Sequence, residues 1–222
     1  MTIGEDLTML EEKDRVIVRI WTSRFHHTHP GESVGHVSLE IPHIQITADN
    51  QENQSLYISL WPQRALPSIL IKKASNSSNE QVGYFFQEPH QFLLNAHQDK
   101  IAERRPPEIT LCLYSLDINK IHSAFQEKKQ NLSGWVLFGG NILASAAESC
   151  STLAGDMLIQ GDINGFIKTG TIQSSVSPDQ LADAVHKAKK QENVLFQAEG
   201  REPFYYPEET SIEKPVRKCP IL

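Results

Sequence analysis

The sequence predicts a protein of the α+β class, in which an antiparallel sheet packs against helices. Two observations carry this prediction. Short runs that alternate apolar and polar residues, as strands do, begin early in the chain. Runs with helical spacing cluster late, around an antiparallel meander. Strands grouped first and helices later, without a strict alternation of the two, are typical of the α+β class.

Several segments have the pattern of strands. In the second of them, Val37, Leu39 and Ile41 alternate with polar residues and lie on the face opposite His36. Pro42 interrupts this strand, and a bulge there would shift its register against the next strand. The predicted strands are Val16–Trp21, Val34–Ile41, Leu56–Trp61, Ile109–Tyr114 and Trp135–Phe138.

Three segments have the spacing and the end signals of helices. The first follows Asp117, which is placed as its N-cap. The second, Ser145–Met157, opens with a Ser-x-x-Glu capping box that ends at Glu148. The third, Ser177–Gln191, has Pro178 at its first helical position. We therefore expect a domain over residues 1–198, with an irregular insertion at 63–107 and a flexible charged tail at 199–222.

Composition excludes several classes of function. The chain has 222 residues and a formal net charge of −6, so a general nucleic-acid-binding surface is not expected. No apolar run approaches the roughly 20 residues that span a bilayer. Three cysteines are too few for a disulfide framework and indicate a reducing compartment. The acidic N-terminus does not have the pattern of a secretory signal peptide.

Cys150 is the first candidate for chemistry. It lies in the opening turns of the predicted Ser145–Met157 helix, and a helix N-terminus favours the thiolate that acts as a nucleophile. Glu148 counts against this role, because a nearby carboxylate raises the pKa of a thiol. The alternative is that Cys150 is a small buried apolar residue, as we expect for Cys112 in its apolar strand.

His36 is the candidate partner of Cys150. It follows Gly35, which leaves space beside the ring, and its strand places it on the polar face. An imidazole can take the proton of a thiol and later give it to a leaving group. The alternative is an exposed strand residue. The other histidines, His26, His27 and His29, lie in a predicted polar loop without acidic or thiol neighbours, and we expect solvated side chains there and no metal site.

The blocks Gly35–Glu40 and Tyr57–Pro62, followed by a late helix that opens at Ser149-Cys150, resemble a papain-like thiol hydrolase in permuted order. This order is similar to that of Ulp/SENP-type ubiquitin-like-protein proteases, LRAT-type acyltransferases and permuted NlpC-type enzymes. The Leu-Trp-Pro ending is also similar to effectors of Legionella-type intracellular bacteria, among them ubiquitin-like proteases of the LupA type. The resemblance covers roughly residues 16–191 and rests on these short blocks.

The resemblance implies a papain-like fold with Cys150 as nucleophile and His36 as general base. Ulp-type proteases have an aspartate at the end of the second strand, and the LRAT type has a second histidine nearby. The matching stretch here offers Ser59 and no acid, so Ser59 is the predicted orienter of His36. The implied activity is cleavage of a peptide or isopeptide bond, with removal of ubiquitin or a ubiquitin-like modifier, and it requires no cofactor.

The resemblance also implies a place of action and partners. A type IV-secreted effector would be delivered by a bacterium into the host cytosol and would act on a host or effector protein. Two alternatives stay open: an LRAT-like acyltransferase or thioesterase that acts on lipids through the same Cys150 and His36, and an inactive binding module that has lost its acid.

The C-terminal residues Cys219-Pro220-Ile221-Leu222 have the form of a prenylation box. Upstream basic residues would help a lipid on Cys219 to hold the protein at a membrane surface. Pro220 departs from the motif, which leaves chance occurrence as one alternative. A glutamate-rich translocation signal of type IV-secreted effectors would explain the same composition. The upstream basic residues are Lys214, Arg217 and Lys218.

Overall fold

The computed structural model describes residues 15–26, 29–33, 35–44, 54–63, 87–136, 147–166, 177–200 and 210–211. The strands in these ranges are β1 (Val16–Trp21), β2 (Arg24–His26), β3 (His29–Ser33), β4 (His36–Ile44), β5 (Gln54–Ile58), β6 (Leu60–Pro62), β7 (Gln87–Glu88), β8 (His90–Phe92), β9 (Ile109–Leu113), β10 (Gly134–Val136), β11 (Ala147–Glu148) and β12 (Thr210–Ser211). The helices are α1 (Ala96–Glu103), α2 (Ile118–Asn131), α3 (Cys150–Gln160), α4 (Ile163–Phe166) and α5 (Pro178–Ala198). The predicted α+β class is confirmed.

The main sheet is antiparallel and has the strand order β12-β9-β1-β4-β5. All six residues of β1 are buried, because the strand lies at the centre of the sheet and both of its faces are covered. The ladder between β1 and β4 pairs Trp21 with His36, which places His36 at one end of the sheet. The register between β4 and β5 shifts between Ile41 and Ile44, where Pro42 interrupts the ladder.

Smaller sheets connect the main sheet to the helices. β6 continues the line of β5 after Ser59 and pairs with β8, which leads into α1. β10 pairs in parallel with β11 and antiparallel with β7. Because β11 ends at Glu148, this sheet holds the chain immediately before α3.

The apolar core lies between the main sheet and helices α2, α3 and α5. The buried side chains of α2 and α5 follow helical spacing on one face, whereas the first six residues of α3 are all buried. In α2, the predicted N-cap Asp117 accepts a hydrogen bond from the Lys120 N–H, and Ile121 and Phe125 are buried. The part of the core contributed by α3 and α5 comprises Leu153, Ala154, Met157, Leu158, Leu181, Ala182, Val185 and Ala188.

Buried polar groups of α5 fasten it to β9. The Glu192 carboxylate accepts hydrogen bonds from the backbone N–H groups of Tyr114 and Ser115, at 2.6 and 2.8 Å. Lys189 donates to the carbonyl oxygen of Cys112, at 2.9 Å. These bonds provide partners for backbone groups at and just beyond the end of β9. Cys112 itself is fully buried, as predicted.

The structure corrects the predicted start of the Cys150 helix. The helix does not begin at Ser145: its N-cap is Ser149, and Cys150 is its first residue. The capping box joins Ser149 to Thr152, whose hydroxyl accepts from the Ser149 N–H at 2.8 Å. Glu148 therefore belongs to β11 and not to a capping box. A threonine hydroxyl at the third helical position fills the role that the sequence had suggested for a glutamate.

Three further segments differ from the predictions. Part of the insertion expected to be irregular at 63–107 is regular, since it contains β7, β8 and α1. Part of the histidine-rich segment expected to be a loop forms the antiparallel pair of β2 and β3. Thr210–Ser211, in the segment predicted as a tail, pairs with β9 as the edge strand β12. The last predicted helix is confirmed with its Ser177–Gln180 capping box, but it extends to Ala198. Among the helices described, none has the length and apolarity to cross a membrane.

Candidate active site

His36 is the first residue of β4 and is almost completely buried. Gly35 precedes it with a φ of +84°, a conformation that side chains disfavour, and a Cβ there would lie 2.8 Å from the carbonyl oxygen of Trp21. Two indole rings flank the imidazole. The ring centroids are 5.4 Å apart for Trp21 and 4.3 Å apart for Trp61. These contacts fix the plane of the His36 ring.

Cys150 faces His36 from the first position of α3. The two side chains are close enough for Cys150 to raise the pKa of His36, and 8% of Cys150 is exposed. Nε2 of His36 contacts Ser59 and Asp99, so we infer that Nδ1 is the ring nitrogen available to the thiol. The position at a helix N-terminus favours a negative charge on sulfur. The structure thus brings the predicted nucleophile and the predicted base into contact.

The carboxylate of Glu148, which counted against a thiolate, is paired with a cation. Its Oε1 lies 2.7 Å from Nζ of Lys128, which also lies 2.6 Å from Oδ2 of Asp156. Burial works against the charge of this lysine, but the bonds to Asp156 and Glu148 raise the pKa of Lys128. The pairing offsets the field of Glu148 near α3.

Asp99 supplies the acid that was not found in the sequence. It lies in the first turn of α1 and has no exposed surface. Its Oδ1 is 3.3 Å from Nε2 of His36. The ring therefore lies between the Cys150 side chain and the Asp99 carboxylate, an arrangement that could serve as nucleophile, base and orienting acid. Sequence reasoning missed Asp99 because it placed no helix in the insertion.

Ser59, the predicted orienter, lies between His36 and Asp99. Its Oγ is 3.0 Å from Nε2 of His36, and its hydroxyl donates to Oδ1 of Asp99 at 2.6 Å. A hydroxyl has one proton, which goes to the carboxylate here, so Ser59 accepts from the His36 ring. Nε2 therefore carries a proton that is shared between Ser59 and Asp99. Ser59 occupies the break between β5 and β6, where the chain leaves the ladder.

Two further donors complete the surroundings of the Asp99 carboxylate. The Trp61 indole N–H donates to Oδ1 at 2.8 Å, and the Tyr57 hydroxyl donates to Oδ2. The Tyr57 oxygen is in turn 2.8 Å from Oγ of Ser38. Both carboxylate oxygens thus have donors although the group is removed from solvent, which is the condition for a stable buried charge.

These contacts shift the ionisation of both partners towards the charged forms. Burial opposes a charge on the ring, but the negative charge of Cys150 and hydrogen bonds to Asp99 and Cys150 raise the pKa of His36 to about 10. Burial also opposes ionisation of the carboxyl, but the hydrogen bond and charge of His36 lower the pKa of Asp99 to about 2. The hydroxyls of Ser59 and Tyr57 act in the same direction on Asp99. Both shifts favour an imidazolium beside a carboxylate.

One sequence signal could have located Asp99. Asn95 accepts from the Gln98 N–H at 3.1 Å, and the Gln98 side chain accepts from the Leu94 N–H at 2.7 Å. Asn-x-x-Gln is a helix-start pattern of the capping-box type, and an acid in the following turn is common. Scanning for serine or threonine caps alone overlooks it.

The sequence analysis also singled out Cys219 and a cluster of histidines. Cys219 lies outside the described residues, as does His27. His26 and His29 are paired across the β2–β3 ladder. Within the ranges that the structure describes, no group of three or more histidine, cysteine or acidic side chains is arranged to hold a metal ion.

No model of a known protein family, no curated protein and no solved structure matches this chain. The function has to be argued from the geometry of Cys150, His36, Ser59 and Asp99.

Proposed function

We propose that this protein is a cysteine hydrolase of papain-like architecture that forms a thioester on Cys150. The observation that carries the proposal is the His36 ring held between Cys150 and Asp99. A buried imidazole with a thiol on one nitrogen and an ionised carboxylate on the other is what activation of a cysteine nucleophile requires.

The chemistry follows from the protonation states. The Cys150 sulfur attacks the carbonyl carbon of the substrate, and the N–H of Cys150 at the start of α3 is placed to donate to the developing oxyanion. His36 gives its Nδ1 proton to the leaving amine as the carbon–nitrogen bond breaks. The thioester carries no charge on sulfur, so the strongest influence that raises the pKa of His36 is lost. The ring can then accept a proton from the attacking water, and the thiolate leaves.

The identity of the third group favours the hydrolase over its alternatives. An LRAT-type acyltransferase would have a second histidine where this protein has Asp99. The binding-module alternative depended on a missing acid, and Asp99 removes that ground. The preferred reaction is cleavage of a peptide or isopeptide bond, with ubiquitin or a ubiquitin-like protein as the modifier. Delivery by a bacterium into the host cytosol is the setting that the sequence resemblance implies.

Activity-based probes test the proposal. Ubiquitin or a ubiquitin-like protein that carries a C-terminal propargyl or vinyl-sulfone group should form a covalent adduct with the wild-type protein. Cys150→Ala should form none. His36→Ala and Asp99→Asn should react more slowly than the wild type by roughly 10²-fold or more. Cys112→Ala is the matched control, because the Cys112 thiol is fully buried on strand β9 of the main sheet, and this variant should label like the wild type.

The outcomes separate the candidate functions. If only lipid-directed or fluorophosphonate probes label the protein, and Cys150→Ala loses that labelling, the result would favour the acyltransferase or thioesterase over the protease. A protein that reacts with neither class of probe would contradict a hydrolytic role for Cys150.

A further inference from the structure

We infer that Tyr57 is a positioning residue of the candidate active site, which holds the Asp99 carboxylate in place and ionised through its hydroxyl. The inference rests on the proposed function for its consequence in catalysis. Its structural basis is independent, because it concerns contacts of Asp99 that do not involve Cys150.

The two oxygens of Asp99 have unequal surroundings. Oδ1 receives the Ser59 hydroxyl and the Trp61 indole N–H and faces His36. Among the described residues, the hydroxyl of Tyr57 is the hydrogen-bond donor to Oδ2. Without it, Oδ2 would be a buried carboxylate oxygen with no donor, and the group would take up a proton or rotate. Either change weakens the charge that faces the His36 ring.

Tyr57 is itself oriented by a second hydroxyl. Its single proton goes to Asp99, so the 2.8 Å contact with Ser38 is a bond in which Ser38 donates. Ser38 follows His36 by two residues on β4, and both therefore lie on the same face of the sheet. A chain of hydroxyls thus runs from Ser38 through Tyr57 to Asp99, on the side of the carboxylate opposite His36.

The charges near Tyr57 favour this proton arrangement. Burial and the negative charge of Asp99 raise the pKa of Tyr57 well above its ordinary value, so the phenol remains a donor at every working pH. Arg19 acts in the opposite direction but is paired with Glu40, at 2.6 Å. The other ionisable side chains that act on Asp99 and Tyr57 are His36 and Arg19, and these interact in turn with Cys150 and Glu40.

Tyr57→Phe tests the inference, because it removes the hydroxyl and keeps the ring. We expect the acid midpoint of iodoacetamide alkylation at Cys150 to move up by about one pH unit, since two or three donors lower a carboxyl pKa by roughly two units. An NMR titration of the His36 ring should show a lower pKa than in the wild type, because less negative charge faces it. Tyr114→Phe is the control, since Tyr114 lies beyond the opposite end of β1, about 17 Å along the strand.

Epistasis with Asp99 decides whether Tyr57 acts through that carboxylate. Tyr57→Phe should add no further shift in an Asp99→Asn background. If the single variant does not fold, Ser38→Ala should give a smaller shift in the same direction. A Tyr57→Phe or Ser38→Ala protein that titrates like the wild type, or an equal shift in the Asp99→Asn background, would overturn the inference. Failure of the hydrolase proposal would show separately, as unchanged turnover in Cys150→Ala, while these titrations still report on Tyr57.

Discussion

The hydroxyl of Ser59 donates a 2.6 Å hydrogen bond to Oδ1 of Asp99. The bond joins a residue at a break between two strands to one on a helix 40 positions later, and both contact Nε2 of His36. A hydroxyl without a carboxylate could orient an imidazole, but it could not stabilise the positive charge of an imidazolium as a carboxylate does. Ser59 therefore bridges the His36 ring and the Asp99 carboxylate, while the charge that stabilises an imidazolium comes from Asp99.

His36→Ala should slow alkylation of Cys150 by iodoacetamide roughly tenfold or more at pH 6 to 7. An imidazolium partner stabilises the thiolate, and an unassisted thiol is only a few per cent ionised near neutral pH. The rate would be measured by mass spectrometry of the Cys150 peptide. His122→Ala, which removes a histidine of α2 outside the site, should leave the rate unchanged. Equal rates in His36→Ala and the wild type would show that the two side chains do not interact.

Asp99 should make stability dependent on pH in the acid range. Its pKa is lowered from 3.8 to about 2, so its contribution is present above pH 3.8 and is lost as the pH falls through about 2. By linkage, that contribution is about 2 kcal/mol. Urea unfolding at several pH values between 6 and 2 would measure it. The stability gap between the wild type and Asp99→Asn should shrink as the pH falls, and a gap that stays constant would contradict the assignment.

The same pair should weaken at high pH. The pKa of His36 is raised from 6.5 to about 10, so its stabilising charge is fully present below pH 6.5 and is lost as the pH rises through about 10. The wild type should therefore lose stability between pH 7 and pH 10 relative to His36→Ala. Urea unfolding of the two proteins over that range tests this expectation, and parallel stability curves would argue against an imidazolium.

Gly35→Ala should destabilise the protein and also slow alkylation of Cys150. A Cβ at Gly35 would lie 2.8 Å from the carbonyl oxygen of Trp21 and 3.0 Å from the ring of Pro178, so the backbone next to His36 or these neighbours must shift. We expect a loss of about 2–4 kcal/mol from backbone strain and overpacking together. Gly200→Ala is the matched control: its φ is +72°, but a Cβ there meets nothing within 4 Å. If the two variants behave alike, the close approach at Gly35 has no effect on the site.

Cys219→Ser should release the protein from membranes in eukaryotic cells if Cys219 is prenylated. One lipid chain with a basic patch binds a membrane surface better than a chain alone, and each basic residue adds about 1 kcal/mol. Because acidic residues lie in the same segment, we expect partial and salt-sensitive retention of the wild type. Fractionation with and without a geranylgeranyl-transferase inhibitor measures this. A wild type that stays in the soluble fraction would make the C-terminal motif a coincidence.

The sequence predicted the parts of the site that follow from local pattern. His36 lies on a strand whose alternation fixes its face, Ser59 lies at the short break inside one predicted strand, and a cap close before Cys150 indicated a helix start. The exact start was ambiguous, because Ser145 and Ser149 both open a Ser-x-x-polar pattern. Only packing decides between two such caps, as strand β11 occupies the residues just before Ser149.

The spacing of apolar residues could not locate Asp99, because α1 buries an acidic side chain and exposes an apolar one. Its buried side chain is the acid, whereas Leu94, just before it, and Ile101 within it are 73% and 63% exposed. A pattern that assigns apolar residues to the inner face therefore predicts the wrong side of this helix. What holds α1 in place is a set of polar bonds to Tyr57, Ser59 and Trp61, and such bonds leave no periodic signal.

The order of the site residues along the chain has a consequence for biosynthesis. The base, the hydroxyl and the acid lie at positions 36, 59 and 99, and the nucleophile comes 51 residues after the last of them. At about 5–20 residues per second, the ribosome completes the acid–base half several seconds before the Cys150 helix exists. A nascent chain can therefore assemble a histidine–aspartate pair that has no thiol to activate. On the proposed function, a chain truncated before α3 would have no nucleophile, because Cys150 is the first residue of that helix.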